Sequence, residues 1–211
     1  MRMSRRLLLA GLLLVACRRK QPSASAPAIP LEPLRVVLAS EAELAKLGAD
    51  VVRRPWAGPI VQVLAEETPD GPVPVPQKKL TGSTNTDALF ERGIANLRAA
   101  YPQPIRGDRT VKMAKADVQI TRFADNYTVA RLLLPEVWSK IAAEGGGPLF
   151  AAAPARDILV WTTSGEDSDQ HALREQARTA FQSRSFPISP AILRWTGKDW
   201  SLVDPNPIPP P

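Results

Sequence analysis

Residues 149–181 read LFAAAPARDILVWTTSGEDSDQHALREQARTAF. Leu149 to Ala152 and Ile158 to Thr162 are short apolar runs with strand composition. Between them Pro154-Ala155-Arg156-Asp157 introduces the second strand, which should be buried. The pattern then changes period. Leu173, Ala177, Ala180 and Phe181 recur on one face, behind the acidic lead GEDSD at 165–169, and predict a helix from about Ser168. Acids at a helix start complement its dipole. Two strands followed by a helix set the theme for the rest of the chain.

Downstream, Ile192 to Trp195, the turn TGKD and Trp200 to Val203 read as a hairpin whose two tryptophans lie near one another across the strands. Upstream, Pro135 suits a first helical turn. Val137, Trp138 and Ile141 form a stripe, and Gly145-Gly146-Gly147 ends that helix. Another helix begins at Thr84 or Thr86, with Leu89, Gly93, Ile94, Leu97 and Tyr101 on one face. Ser40 and Glu43 form a capping box for a short helix that Gly48 can stop. Ile60 to Ala65, Val118 to Phe123 and Tyr127 to Leu134 have strand composition. The expected class is α+β: a single domain over residues 31–204, with a largely antiparallel sheet and helices packed on one face.

The ends of the chain carry a different message. Arg2, Arg5 and Arg6 precede an uncharged run from Leu7 to Ala16, the pattern of an export signal over residues 1–16. The run is about half the ~20 residues of a transmembrane helix. Leu14-Val15-Ala16-Cys17 resembles the lipobox of bacterial lipoproteins, in which the cysteine is acylated and becomes the new N-terminus. Cys17 is the only cysteine, so the domain is expected to hold without a disulfide. Ser4-Arg5-Arg6-Leu7-Leu8 also resembles a twin-arginine signal, although the leucine-rich run favours an ordinary basic start. Residues 17–30 then form the acylated cysteine and a flexible Pro/Ser/Ala tether. Residues 205–211 are an extended Pro-rich tail. The residue after Cys17 is Arg18 and not Asp, which by the sorting habit of such lipoproteins leans to the outer membrane, facing the periplasm.

The chain carries 27 Lys and Arg against 21 Asp and Glu. Three of the basic residues lie in the export signal, and Arg18, Arg19 and Lys20 form a membrane-proximal collar. The remainder is balanced, so nucleic-acid binding is not expected. One histidine, His171, reads as a surface residue, and no cysteine or second histidine could complete a zinc set. GEDSD lacks the spacing of a calcium loop. The triple glycine ends a helix and precedes no Lys-Ser/Thr, so it is no phosphate loop. There is no Gly-x-Ser-x-Gly and no dinucleotide fingerprint. No cofactor is expected.

RFADNYTVARLLLPEVW (122–138), GGPLFAAAPARDILVWTT (146–163) and FPISPAILRWTGKDWSLV (186–203) resemble the bacterial domain of unknown function 1444, the YtpQ-like family. Asp125, Tyr127 and Arg131 match its Asp-Gly-Tyr-Asp-Ala-Ser-Arg turn. Asn126 replaces the glycine, Thr128 and Val129 replace Asp-Ala, and Ala130 replaces the serine. Pro154 to Asp157 match its Pro-x-x-Asp motif, and GIANL (93–97) fits its Ala-x-x-Asn-Leu helix. The resemblance covers roughly residues 60–203, with the family's larger N-terminal part shortened and a lipoprotein signal added. The family has no established activity, so the resemblance implies a fold and no function.

Asp125, Arg131, Arg156 and Asp157 are the candidate polar cluster, either structural or the lining of a ligand site. Asp125-Asn126 reads as a turn between two strands, and Arg131 or Asp125 is the expected partner of the Arg156-Asp157 pair. Two functions follow. The first is a non-enzymatic envelope lipoprotein, tethered to the membrane, that binds an envelope protein or another envelope component. The second is a hydrolase or small-ligand binder with its site at those four residues.

Overall fold

The computed structural model describes residues 33–46, 50–80, 85–102, 105, 110–112 and 117–206. Cys17, the tether, Gly48, Thr84 and the tail from residue 207 onward lie outside them. The class is α+β, with every sheet pairing antiparallel. The strands form two sheets where the sequence suggested one.

The first sheet is built on the long strand β3 (Ile60–Thr68). Strand β1 (Leu34–Ser40) pairs along one edge. Strands β2 (Arg53–Ala57) and β4 (Gly71–Pro74) share the other, β2 beside the first half of β3 and β4 beside the second. Neither β2 nor β4 has strand composition: they hold Pro55, Pro72 and Pro74. Proline cannot donate to a ladder and is tolerated at edges, where both strands sit. Helix α1 (Glu41–Lys46) follows β1, and its Glu43 N–H donates to Ser40 Oγ at 3.1 Å. Helix α2 (Thr86–Ala100) packs on β1 and is capped by Asn85, whose side chain accepts from Ala88 N–H at 3.2 Å. Its buried face is Phe90, Gly93 and Leu97.

The second sheet runs β10-β9-β7-β8-β6-β5. Its strands are β5 (Thr110–Lys112), β6 (Gln119–Thr121), β7 (Phe150–Ala155), β8 (Ile158–Thr162), β9 (Ile192–Trp195) and β10 (Trp200–Asp204). Helix α4 (Asp167–Ser183) covers β7 and β8 with Leu173, Ala177 and Ala180. In its acidic lead, Asp169 accepts the Asp117 N–H at 2.8 Å and ties the loop before β6 to the helix start. His171 is exposed.

The segment Tyr127 to Leu134 corrects the sequence reading. It is not a strand: a turn leads into a 3-10 helix over Val129–Leu133. All five residues of that helix are buried. Val129, Leu132 and Leu133 join one core with Leu34 and Ile60 of the first sheet and Leu193 and Trp195 of the second. A run buried on every side has no amphipathic period, so composition cannot tell strand from helix. Leu134, before Pro135, leaves the helical region as that position requires. Helix α3 (Pro135–Gly145) then starts with proline at its first position and ends at Gly146, whose φ of 68° needs glycine.

Two indoles hold the 3-10 segment. Trp138 Nε1 donates to Arg131 O at 2.8 Å, and Trp200 Nε1 donates to Leu132 O at 3.1 Å. Arg131 O accepts the Leu134 N–H as well, at 3.1 Å, so the indoles add side-chain donors to a buried segment that joins no sheet. The hairpin prediction holds: Trp195 and Trp200 are directly opposed, their rings 5.3 Å apart. Trp200 in turn meets Trp138 edge-on at 5.1 Å.

Candidate functional site

The turn after β6 uses its aspartate twice. Asp125 Oδ1 accepts the Tyr127 N–H at 2.8 Å, closing an Asx turn. The turn joins a strand to the 3-10 helix, not strand to strand. Both carboxylate oxygens also accept from Arg131, at 3.1 and 2.8 Å. The Arg131 side chain is only 4% exposed. Its guanidinium lies between two rings, 3.8 Å from the centroid of Phe123 and 4.4 Å from that of Tyr101. A cleft of about 300 Å³ opens beside the pair, and Tyr101, Phe123, Asp125 and Arg131 line it.

Behind the turn runs a second polar chain. Arg35 on β1 and Glu67 on β3 are diagonal neighbours, two residues off register, and bond at 2.5 Å. The Tyr127 hydroxyl donates to the same Glu67 oxygen. Arg35 also lies 5.0 Å from the Tyr127 ring centroid. Burial, then the bond to anionic Glu67, push the Tyr127 phenol well above its ordinary value. Burial and the Asp125 charge raise Tyr101 too. Sequence gave no hint of Arg35 or Glu67, because a diagonal pair is visible only once the register is known.

Raised phenols make stability fall at alkaline pH. The neutral form is favoured in the fold, so the contribution is complete below the ordinary tyrosine value of about 10 and is lost as pH rises beyond it. Tyr127→Phe is expected to cost about 1.5–3 kcal/mol at pH 7, the worth of a bond to a charged acceptor. It should also flatten the fall above pH 10, leaving the part due to Tyr101. Urea unfolding from pH 7 to 11 tests both; an equal slope in the variant would refute the assignment.

Arg156 and Asp157 do not join the first pair. They form the two-residue turn between β7 and β8. Asp157 faces Arg184 at 3.5 Å, a solvated bridge worth little. Arg156 lies 4.3 Å from the ring centroid of Phe186, and its N–H donates to Phe186 O at 3.2 Å. The predicted cluster of four is therefore two pairs in two clefts. The second cleft, of about 260 Å³, is lined by Asn126, Arg156, Asp157, Arg184, Ser185 and Phe186. Asn126 turns away from its neighbour Asp125 into this cleft and packs close to Gly71, where a Cβ would meet its Nδ2 at 2.9 Å. Gly71 has φ 111°, which also favours glycine.

Phe186 itself is unusual. It is 60% exposed and has φ 56°, a region costly for a bulky residue. On its far side Arg156, Phe186, Pro187 and Ile188 form one wall of an apolar groove of about 150 Å³, and Val37, Leu44, Val63 and Pro74 are among the residues lining the rest. Burial pulls the Arg156 guanidinium below its ordinary value. The left-handed backbone of Phe186 leaves no mark in the sequence.

No protein-family model matches the chain, and no curated protein or solved structure matches it. The family resemblance rests on the residues quoted for it.

Proposed function

We propose that this chain is a lipid-anchored protein of the bacterial envelope whose domain binds another envelope component and does not transform it. The observation that carries the binding reading is Phe186: a strained, exposed aromatic standing between an apolar groove and a polar cleft. Strain held at a surface residue is a pointer to function. The hydrolase reading has less to stand on. Asp125 and Arg131 are committed to each other and to the Tyr127 turn, which leaves that pair a structural role.

Leu14-Val15-Ala16-Cys17 supports the anchor, and two or more acyl chains hold a protein stably where one does so only marginally. Arg18, Arg19 and Lys20 add attraction to anionic headgroups. Arg18 following the cysteine supports placement in the outer membrane, facing the periplasm. Cell fractionation tests the anchor. The wild-type protein is expected in the membrane fraction, resistant to high salt and released by detergent, and Cys17→Ser is expected in the soluble fraction. A Cys17→Ser protein that still sediments in high salt would refute it. For binding, a photocrosslinking phenylalanine analogue at position 186 in intact envelopes should give a discrete adduct; no adduct would refute the reading.

A further inference from the structure

Arg156 is the exception among the half-buried and buried arginines around it. Arg35, Arg131 and Arg184 each face a carboxylate. Arg156 faces none, and its guanidinium, stacked on Phe186, donates no hydrogen bond among the described residues. Arg184 has a local reason for its place, at the end of α4 and beside Asp157. Arg156 has no such reason. Its guanidinium nitrogens are not among the buried unpartnered atoms and open onto a cleft, so they are available to an acceptor from outside the chain.

The lining defines that partner. Stacking occupies the face of the Arg156 guanidinium and leaves its edge donors free for planar, bidentate recognition. The Asn126 amide and Ser185 hydroxyl line the same cleft and make no side-chain hydrogen bond among the described residues. Arg156 and Arg184 against Asp157 leave one net positive charge, the complement of a monoanion. At about 260 Å³ the cleft is below the usual ~300–1,000 Å³ of drug-sized sites and suits a single small group. The adjoining groove of about 150 Å³ is lined mainly by apolar side chains and shares the Arg156–Phe186 wall.

We propose that Arg156, with Asn126 and Ser185, receives a carboxylate carried on a short apolar group that enters the groove across Phe186. A peptide ending in an apolar residue and a free apolar acid both present this chemistry. The proposal rests on the reading of the domain as a binding module and names its ligand class.

The test uses the full chain in detergent and calorimetric titration with three probes: an acetylated hexapeptide ending in valine, the same peptide amidated at its C-terminus, and hexanoate. Binding of the free-acid peptide or of hexanoate is expected, and which of them binds identifies the source. Amidation should weaken the peptide roughly tenfold to a hundredfold, and Arg156→Met should do the same to either acid. Phe186→Gly should weaken binding roughly threefold to thirtyfold while leaving the melting temperature equal or higher, because glycine accepts the positive φ. The proposal is overturned if neither acid binds, if the amidated peptide binds as well as the acid, or if Arg156→Met binds normally. Should the acids fail while the crosslinker at position 186 still gives an adduct, the carboxylate proposal falls and the binding reading stands. Should both fail, both are wrong.

Discussion

Asp125→Ala is expected to destabilise the protein by about 3–5 kcal/mol, the usual cost of breaking a buried ion pair from one side. Arg131 is the reason. Its side chain is 4% exposed, held between Phe123 and Tyr101, and Asp125 supplies both acceptors of its bidentate bond. Without that carboxylate a positive charge stays buried and uncompensated. The Tyr127 N–H also loses its acceptor, so the turn loosens at the same time. For a domain of this size the melting temperature should fall by roughly 6–20 °C. Asp125→Ala combined with Arg131→Met should recover part of that loss, because removing both charges also removes the desolvation penalty. Any partner capture should decline only in proportion to the folded fraction. A stable Asp125→Ala protein that no longer captures its partner would overturn the structural role and return this pair to the candidate site.

Trp138→Ala should cost about 3–5 kcal/mol as well, by a different route. Trp138 is fully buried and touches the rings of Trp161 and Trp200 edge-on. Truncation leaves a cavity where the 3-10 helix, α3 and the Trp195–Trp200 hairpin meet. It also removes one of the two donors to Arg131 O, the other being the Leu134 N–H at 3.1 Å. Trp138→Phe separates the two effects. It keeps most of the ring volume and loses the N–H, and because the Leu134 N–H still donates to Arg131 O its cost should be about 0.5–1.5 kcal/mol, the net worth of one hydrogen bond. Urea unfolding at neutral pH measures both variants. A change below about 1 kcal/mol for Trp138→Ala would mean that the indole cluster does not join the layers as the packing indicates.

Short-range signals carried far in this sequence. Ile158–Thr162, Ile192–Trp195 and the turn between the two tryptophans match the predicted hairpin and strand. Ser40 caps α1, Pro135 opens α3 and Gly146 closes it, since caps and turns depend on one residue's backbone or side chain within a few positions. Edge strands were less legible. Arg53–Ala57 and Gly71–Pro74 pair with β3 despite their prolines, because an edge position asks for fewer donors.

The candidate site divided the same way. The residue types of Asp125, Arg131, Arg156 and Asp157 marked polar positions amid apolar sequence, and the turn chemistry of Asp125 could be read directly. Which of them meet could not. Asp125 and Arg131 come together because Val129–Leu133 is helical and not extended, and that conformation is imposed by burial between two sheets. Arg156 finds Phe186, thirty residues on, because Pro187 bridges to Ala155 beside it. The sequence by itself determined the α+β class, the helix caps, the closing hairpin and the lipobox-like start. Tertiary structure decided the division into two sheets, the form of residues 127–134 and the partner of each charge. Local propensity acts over a few residues, whereas sheet partition, burial and ion pairing depend on segments that meet only after the chain has folded.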